Sequence, residues 1–324
     1  MLRSRLSEPS YRDRHVALGP AYASRRGTDE PPRPLSESDV SSSIRSRSVV
    51  VTGASRGLGL ATASHLYQRG WTVLAAMRSP DDGLKRLAER LDGMFDARRL
   101  IGIRLDLEDP SSIAAAAAAV IDQVGAPDGI VHNAGVAAAG AVEEMPAEAV
   151  EGIFTTNVFG PLRLTRELLP AMRAHGHGRI VIVSSQAALL GVPGTSAYSA
   201  SKSALERWAE SLSMEIAPFG LGVTVLVTGT FKTDILELTP TWKDAAGPYV
   251  PLHEALESAG ETMRRLARRP DRFASAVERA LLDRKPFARH PVGIDAALML
   301  YGGRILPVRA MQGLTARVLR LPRR

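Results

Sequence analysis

The chain has 324 residues, 45% of them hydrophobic, a formal net charge of +7 and no cysteine. That is enough for one substantial core, and it excludes disulfides, thiolate metal sites and cysteine nucleophiles. No apolar run reaches the roughly 18 residues a membrane-spanning helix needs, and no hydrophobic stretch follows the first arginines as a signal peptide requires, so the location read from the sequence is cytoplasmic.

Residues 1–47 are rich in Ser, Pro and Arg and lack apolar periodicity. They cannot bury enough surface to offset their ordering entropy, which predicts a disordered extension. Glu8, Asp13, Asp29, Glu30, Glu37 and Asp39 argue against a transit peptide, which is poor in acids. From Ser48 onward apolar strands alternate with helices. Strands are predicted at 48–52, 72–77, 100–105, 129–132, 179–184 and 222–227. Helices are predicted at 57–69, 81–91, 110–124, 146–173 and 197–219. Strands that are apolar throughout and alternate with helices make one doubly wound α/β domain, a Rossmann-like parallel sheet covered on both faces, here expected over 48–300. Residues 239–260 contain Pro240, Pro248 and Pro251 and read as an irregular lid with short helices, within a lid segment of about 231–269. A helix over 271–283 and a short strand over 289–292 follow. The last segment, 301–324, is a basic amphipathic tail: Arg304, Arg309, Arg317, Arg320, Arg323 and Arg324 have no acid among them.

The first strand runs into Thr52-Gly53-Ala54-Ser55-Arg56-Gly57-Leu58-Gly59 and then a helix. Glycines there permit a tight turn, close approach to a pyrophosphate and close helix–strand packing, while the helix N-terminus offers unpaired N–H groups. The second strand ends Ala76-Met77-Arg78, where an NAD enzyme commonly carries an acid for the ribose 2′-hydroxyl. Arg56 and Arg78 instead suit a 2′-phosphate through forked, charge-assisted hydrogen bonds. This favours NADP(H) over NAD(H).

Tyr198 and Lys202 are four apart on a predicted helix and share a face. Ser185 lies at the carboxyl end of the fifth strand, the edge where open parallel sheets bind ligands. With Gly-x-x-x-Gly-x-Gly at residues 53–59, these residues make the sequence resemble the classical short-chain dehydrogenase/reductase family from about Ser48 to Thr233. The resemblance implies a hydride transfer between nicotinamide and a carbonyl or alcohol carbon, with Ser185, Tyr198, Lys202 and Asn157 catalytic. It also implies cofactor contacts at Gly53, Ser55, Arg56, Gly57, Leu58, Gly59, Arg78, Asp106, Asn133, Ala134, Gly135, Tyr198, Lys202, Gly229 and Thr233. Asn133 itself reads as a structural tie between strands, and His132 as packing.

Hydride reaching a carbonyl carbon leaves a developing alkoxide that needs a hydrogen-bond donor and a proton source. Ser185 suits the first role and Tyr198 the second. A tyrosine has a pKa of about 10, and the gap to neutrality is worth about 4 kcal/mol. A lysine ammonium about 5 Å away supplies roughly 3 kcal/mol at an effective dielectric near 20. The histidines show no paired ligand spacing, so no metal is predicted.

The lid's Trp242, Tyr249, Leu252 and Met263, with Ile235, Leu236 and Leu238, suit an apolar substrate resembling a steroid, retinoid or lipid carbonyl; packing explains the same residues equally. Residues 289–296 resemble the subgroup of 17β-hydroxysteroid and retinol dehydrogenases. The resemblance also implies a homodimer or homotetramer built on the two long helices. The tail reads either as a membrane-surface helix or as a docked helix with solvated arginines. Nucleic-acid binding is not predicted, because the basic cluster belongs to no recognised module. The rival class is a non-catalytic NADP(H)-binding regulator, which has no need of Ser185, Tyr198 and Lys202 together.

Overall fold

A computed structural model describes residues 46–233 and 239–321 of the chain. The first 45 residues, with most of the segment expected to be disordered, and Ile235, Leu236 and Leu238 lie outside the described residues. Ser46 and Arg47 already belong to the domain: the Ser46 hydroxyl donates to Gly70 O at 2.7 Å and Thr72 N donates to Arg47 O at 2.8 Å.

The chain proceeds through β1 (Ser48–Thr52), α1 (Gly57–Gln68), β2 (Thr72–Met77), α2 (Pro80–Arg90), β3 (Leu100–Arg104), α3 (Pro110–Val124) and β4 (Gly129–His132). It continues through β5 (Ala139–Gly140), α4 (Ala147–Phe154), a π-helical turn (Thr155–Phe159), α5 (Gly160–His175), β6 (Gly178–Ser185), α6 (Ser196–Ile216) and β7 (Leu221–Thr228). Then come β8 (Thr241–Trp242), α7 (Val250–Leu266), α8 (Asp271–Leu281), β9 (Phe287–Val292), α9 (Ile294–Ile305) and α10 (Val308–Val318).

Seven strands form one sheet in the order β3-β2-β1-β4-β6-β7-β9, with every pairing parallel. Alternate residues feed two cores, as the pleat dictates. Val50, Leu74, Ile130, Ile180 and Val223 pack with Ile113, Leu164 and Leu205 on one face. Val49, Val73, Val131 and Val181 pack with Leu66, Leu87, Phe273 and Val277 on the other. Because the chain leaving β1 crosses to α1 on one face while the chain leaving β4 goes on to α5 on the other, the two connections part at the carboxyl rim and open the crevice where such sheets take ligands.

Two expectations are corrected. The single helix expected over 146–173 is two helices separated by the π turn. A Cβ built on Gly160, just after it, would stand 2.6 Å from the Cβ of Leu107, so only glycine lets the resumed helix pass this close to the end of β3. The irregular lid is largely one helix, α7: Pro251 lies in its first turn, where a missing N–H costs nothing. Its approach is fixed by parallel pairing of Ala139 with Thr241 and Gly140 with Trp242, by His253 Nε2 against Glu144 Oε2 at 2.6 Å, and by the Tyr249 hydroxyl donating to Glu143 Oε1 at 2.8 Å. The boundary expected at 300/301 falls inside α9. Among the described residues, no helix is long and apolar enough to cross a membrane.

Candidate active site

The glycine turn is built by backbone needs. Gly53 has φ +67°, and its N–H donates to Ala76 O at 2.9 Å, tying the turn to β2. A Cβ on Gly59 would lie 2.1 Å from Gly53 O and 2.5 Å from Asn133 Nδ2, so no side chain fits. Asn133 Nδ2 donates to Thr52 O at 2.9 Å, while the Thr52 hydroxyl oxygen accepts from the N–H groups of Asn133 and Ala134, each at 3.0 Å. Asn133 therefore ties β4 to the turn after β1. The α1 N-terminus has no side-chain cap and no acid in its first turn. Uncapped N–H groups at a glycine-lined helix start, with the helix dipole behind them, fit a dinucleotide's diphosphate. Thr233 lies over the same turn: a Cβ on Gly57 would meet its Cβ at 3.5 Å.

Arg56 and Arg78 are both exposed at this corner. A third cation joins them: Arg86 of α2 donates to Ser55 O at 3.4 Å. Sequence reasoning missed Arg86 because nothing in the helical pattern marks which face looks back at the glycine turn. Asp106 follows β3, its carboxylate accepting from Glu108 N at 3.1 Å.

Ser185, Tyr198, Lys202 and Asn157 are brought to one place from three elements. Lys202 is buried and donates to Val183 O at 3.0 Å, with Nζ 5.9 Å from the centre of the Tyr198 ring. Asn157, in the π turn, donates through Nδ2 to Val136 O at 2.9 Å and to the Ser201 hydroxyl at 3.0 Å, and accepts from Val136 N at 2.8 Å. A π turn re-aims one side chain of a helix, which is why such turns collect at functional sites. Gly135 closes the group: a Cβ there would crowd Asn157 Oδ1 at 3.1 Å and Lys202 Nζ at 3.2 Å. Leu256 of α7 reaches the loop before α6, where a Cβ on Gly194 (φ +74°) would meet it at 2.4 Å.

Burial pushes the Tyr198 phenol above its ordinary value, and hydrogen bonding to Ser185 opposes this only in part. Burial lowers Lys202 to about 8, with Glu206 opposing. Burial is thus the first cause of both shifts, favouring the neutral phenol and the neutral amine.

Behind this cluster lies a buried network that the sequence reading did not identify. Glu206, one turn after Lys202 and 2% exposed, accepts from the Ser184 hydroxyl at 2.6 Å and pairs with Arg289 of β9 at 2.9 Å; Arg289 also pairs with Glu210. The Thr228 hydroxyl donates to Ser184 O at 2.6 Å. The spacing of Tyr198, Lys202 and Glu206, four and four, was the available signal. Gly229 faces Asp295: a Cβ there would fall 2.1 Å from its Oδ1. Asp295 accepts from Thr230 N at 2.7 Å and pairs with Arg268 at 2.5 Å, anchoring the loop after β7. His132 is packing: burial and the Lys202 charge lower it to about 3, and its Nε2 lies 2.8 Å from the Thr165 hydroxyl.

Residues 47–244 match the short chain dehydrogenase family model. The chain belongs to the short-chain dehydrogenase/reductase family. This oxidoreductase is 34% identical over 272 residues to the uncharacterized oxidoreductase YbbO of Escherichia coli K12, covering 83% of this chain and 93% of YbbO. A short-chain dehydrogenase from Streptomyces avermitilis superimposes with a TM-score of 0.71 at 33% identity, over 86% of this chain and 98% of the other. One from Burkholderia cenocepacia, solved in complex with NADP, gives a TM-score of 0.63 at 25% identity, over 85% and 98%. Like other short-chain dehydrogenase/reductases, the enzyme binds a nicotinamide cofactor and acts on a small molecule.

Proposed function

We propose that this short-chain dehydrogenase/reductase uses NADP(H) and acts on an apolar carbonyl or alcohol of steroid-, retinoid- or lipid-like character. The observation that carries the reading is the convergence of Ser185, Tyr198, Lys202 and Asn157 beside an uncapped, glycine-lined helix start at the carboxyl rim of the sheet. When bound, the nicotinamide supplies or accepts the hydride. The Ser185 hydroxyl donates to the oxygen on which negative charge develops. The Tyr198 phenol delivers the proton in reduction and, as phenolate, takes it in oxidation. Lys202 keeps positive charge beside that phenol, and Asn157 positions the Val136 loop and, through Ser201, the end of the Tyr198–Lys202 turn.

Arg56, Arg78 and Arg86 supply the argument for the 2′-phosphate. Isothermal titration is expected to give NADPH a dissociation constant lower than that of NADH, and Arg86→Ala to narrow the gap; equal constants in the wild type reject the preference. A carbonyl and alcohol panel followed at the reduced-nicotinamide absorbance, with Tyr198→Phe as control, tests the chemistry. No turnover across the panel would return the non-catalytic regulator.

Two interaction surfaces belong to the same reading. The shallow groove between α5 and α6, lined by Leu162, Leu169, Trp208 and Leu212, is where we place self-association into a dimer or tetramer. The exposed Leu298, Ile305, Val308, Leu314 and Val318, interleaved with Arg304, Arg309 and Arg317, suit contact with an anionic lipid surface. Flotation with anionic liposomes is expected to fall on truncation before Gly303; equal flotation removes the idea.

A further inference from the structure

We infer that the enzyme carries a second site, a divalent transition-metal site of the Zn2+ class formed by Asp128, His175 and His177 at the amino rim of the sheet. Asp128 immediately precedes β4, His175 ends α5, and His177 immediately precedes β6. One ligand atom from each lies within 4.8 Å of the other two. His177 Nε2 is 2.7 Å from Asp128 Oδ1, and the two imidazole centres are 4.1 Å apart with a 42° tilt.

The sequence predicts no metal here, because His-x-His fits neither a helical face nor the usual spaced pairs. What joins the two rings is Gly176, with φ +80°, a left-handed conformation that turns the chain back at the end of α5. The carboxylate is prepared on its far side. Asp128 Oδ2 accepts from Ser48 N at 2.7 Å and from the Ser48 hydroxyl at 3.1 Å, which leaves Oδ1 aimed at the histidines. Such outer hydrogen bonds orient a ligand and fix which of its oxygens is free.

Two imidazoles and one carboxylate, with a fourth position open to water, are the donor set of a tetrahedral zinc centre. They are too few oxygens for Ca2+ and too rich in nitrogen for Mg2+. Metal–ligand bonds of about 2.0–2.2 Å put donors roughly 3.4 Å apart. The two imidazoles are exposed, so side-chain rotation can close the remaining gap. A metal there would cross-link the start of β4 to the α5–β6 turn, with the start of β1 joined through the Ser48 hydrogen bonds to Asp128. It touches none of the groups at the opposite rim, so its role would be to staple the fold and not to take part in hydride transfer.

Zn2+ titrated calorimetrically into metal-free full-length protein tests this, with Co2+ absorption as a second readout. The expected result is one equivalent bound, a four-coordinate Co2+ spectrum, and a melting temperature raised by Zn2+. His175→Ala leaves the Ser48–Asp128–His177 bonds intact and should weaken Zn2+ at least ~10-fold. The double variant His175→Ala His177→Ala should lose both the binding and the thermal shift, whereas His290→Ala, near Asp283 elsewhere on the surface, should leave both unchanged. No saturable Zn2+ binding to the wild type, or unchanged affinity in the double variant, overturns the inference.

Discussion

Helix α6 and the pair α9–α10 treat their side chains in opposite ways. Along α6, polar groups go inside: Ser201, Lys202, Glu206 and Ser213 are all buried, each held by a hydrogen bond or an ion pair. Along α9 and α10, apolar groups go outside: Ile305 is 81% exposed and Leu298 70%, while α10 buries only Met311. Inside, an unpaired polar atom costs more than a lost contact, so every group is held in place. Outside, apolar surface persists without a partner, and the interleaved arginines give that surface a sign. The first arrangement suits chemistry at fixed distances, the second suits contact with something large.

This contrast can be broken at its strong end first. Tyr198→Phe removes one hydroxyl and should lower kcat/KM by about 10²- to 10⁴-fold at unchanged melting temperature; a loss of stability in step with activity would mean the hydroxyl is structural. Next is Lys202→Met. The folded pKa of Lys202, about 8, lies below the ordinary 10.5, so between those values the unfolded chain holds a proton that the folded one has released. Wild-type stability should therefore rise with pH relative to the variant across that window, by up to about 3 kcal/mol. Urea unfolding at either side of the window checks this, and a flat difference refutes it. Glu206→Ala strands the Ser184 hydroxyl and removes one partner of Arg289, and should cost about 1–3 kcal/mol; Glu206→Gln, which keeps the hydrogen bond, should cost less. At the weak end, Ile305→Ser should change unfolding free energy by no more than about 0.5 kcal/mol. A larger loss would mean that Ile305 is packed and not presented.

How far the sequence could be read follows the same division. The first six strands of the sheet are legible because each carries an apolar run that its few polar residues, such as Arg179 and Thr224, do not hide. Ser185, Tyr198 and Lys202 are legible because chemistry fixes both their types and their spacing. Glu206 and Arg289 are not, since their pairing joins α6 to β9 across 83 positions and is visible only once the sheet order is known. Arg86 and Asp295 likewise act through tertiary proximity. The π turn escapes because one extra residue leaves the apolar rhythm of α5 unbroken, and α7 escapes because prolines that read as breaks sit where a helix tolerates them.

The five residues from Thr155 to Phe159 hold one more residue than an α-helix of the same rise would. Deleting one of them would let the two flanking helices merge without rotating either, so Leu164, Leu168 and Met172 would keep their places against the sheet. Asn157 would not keep its aim at Val136 and Ser201. Length variation at this spot therefore separates two kinds of inheritance: a descendant can shorten here, still fold and melt like its parent, and have surrendered only the alignment of its reacting groups.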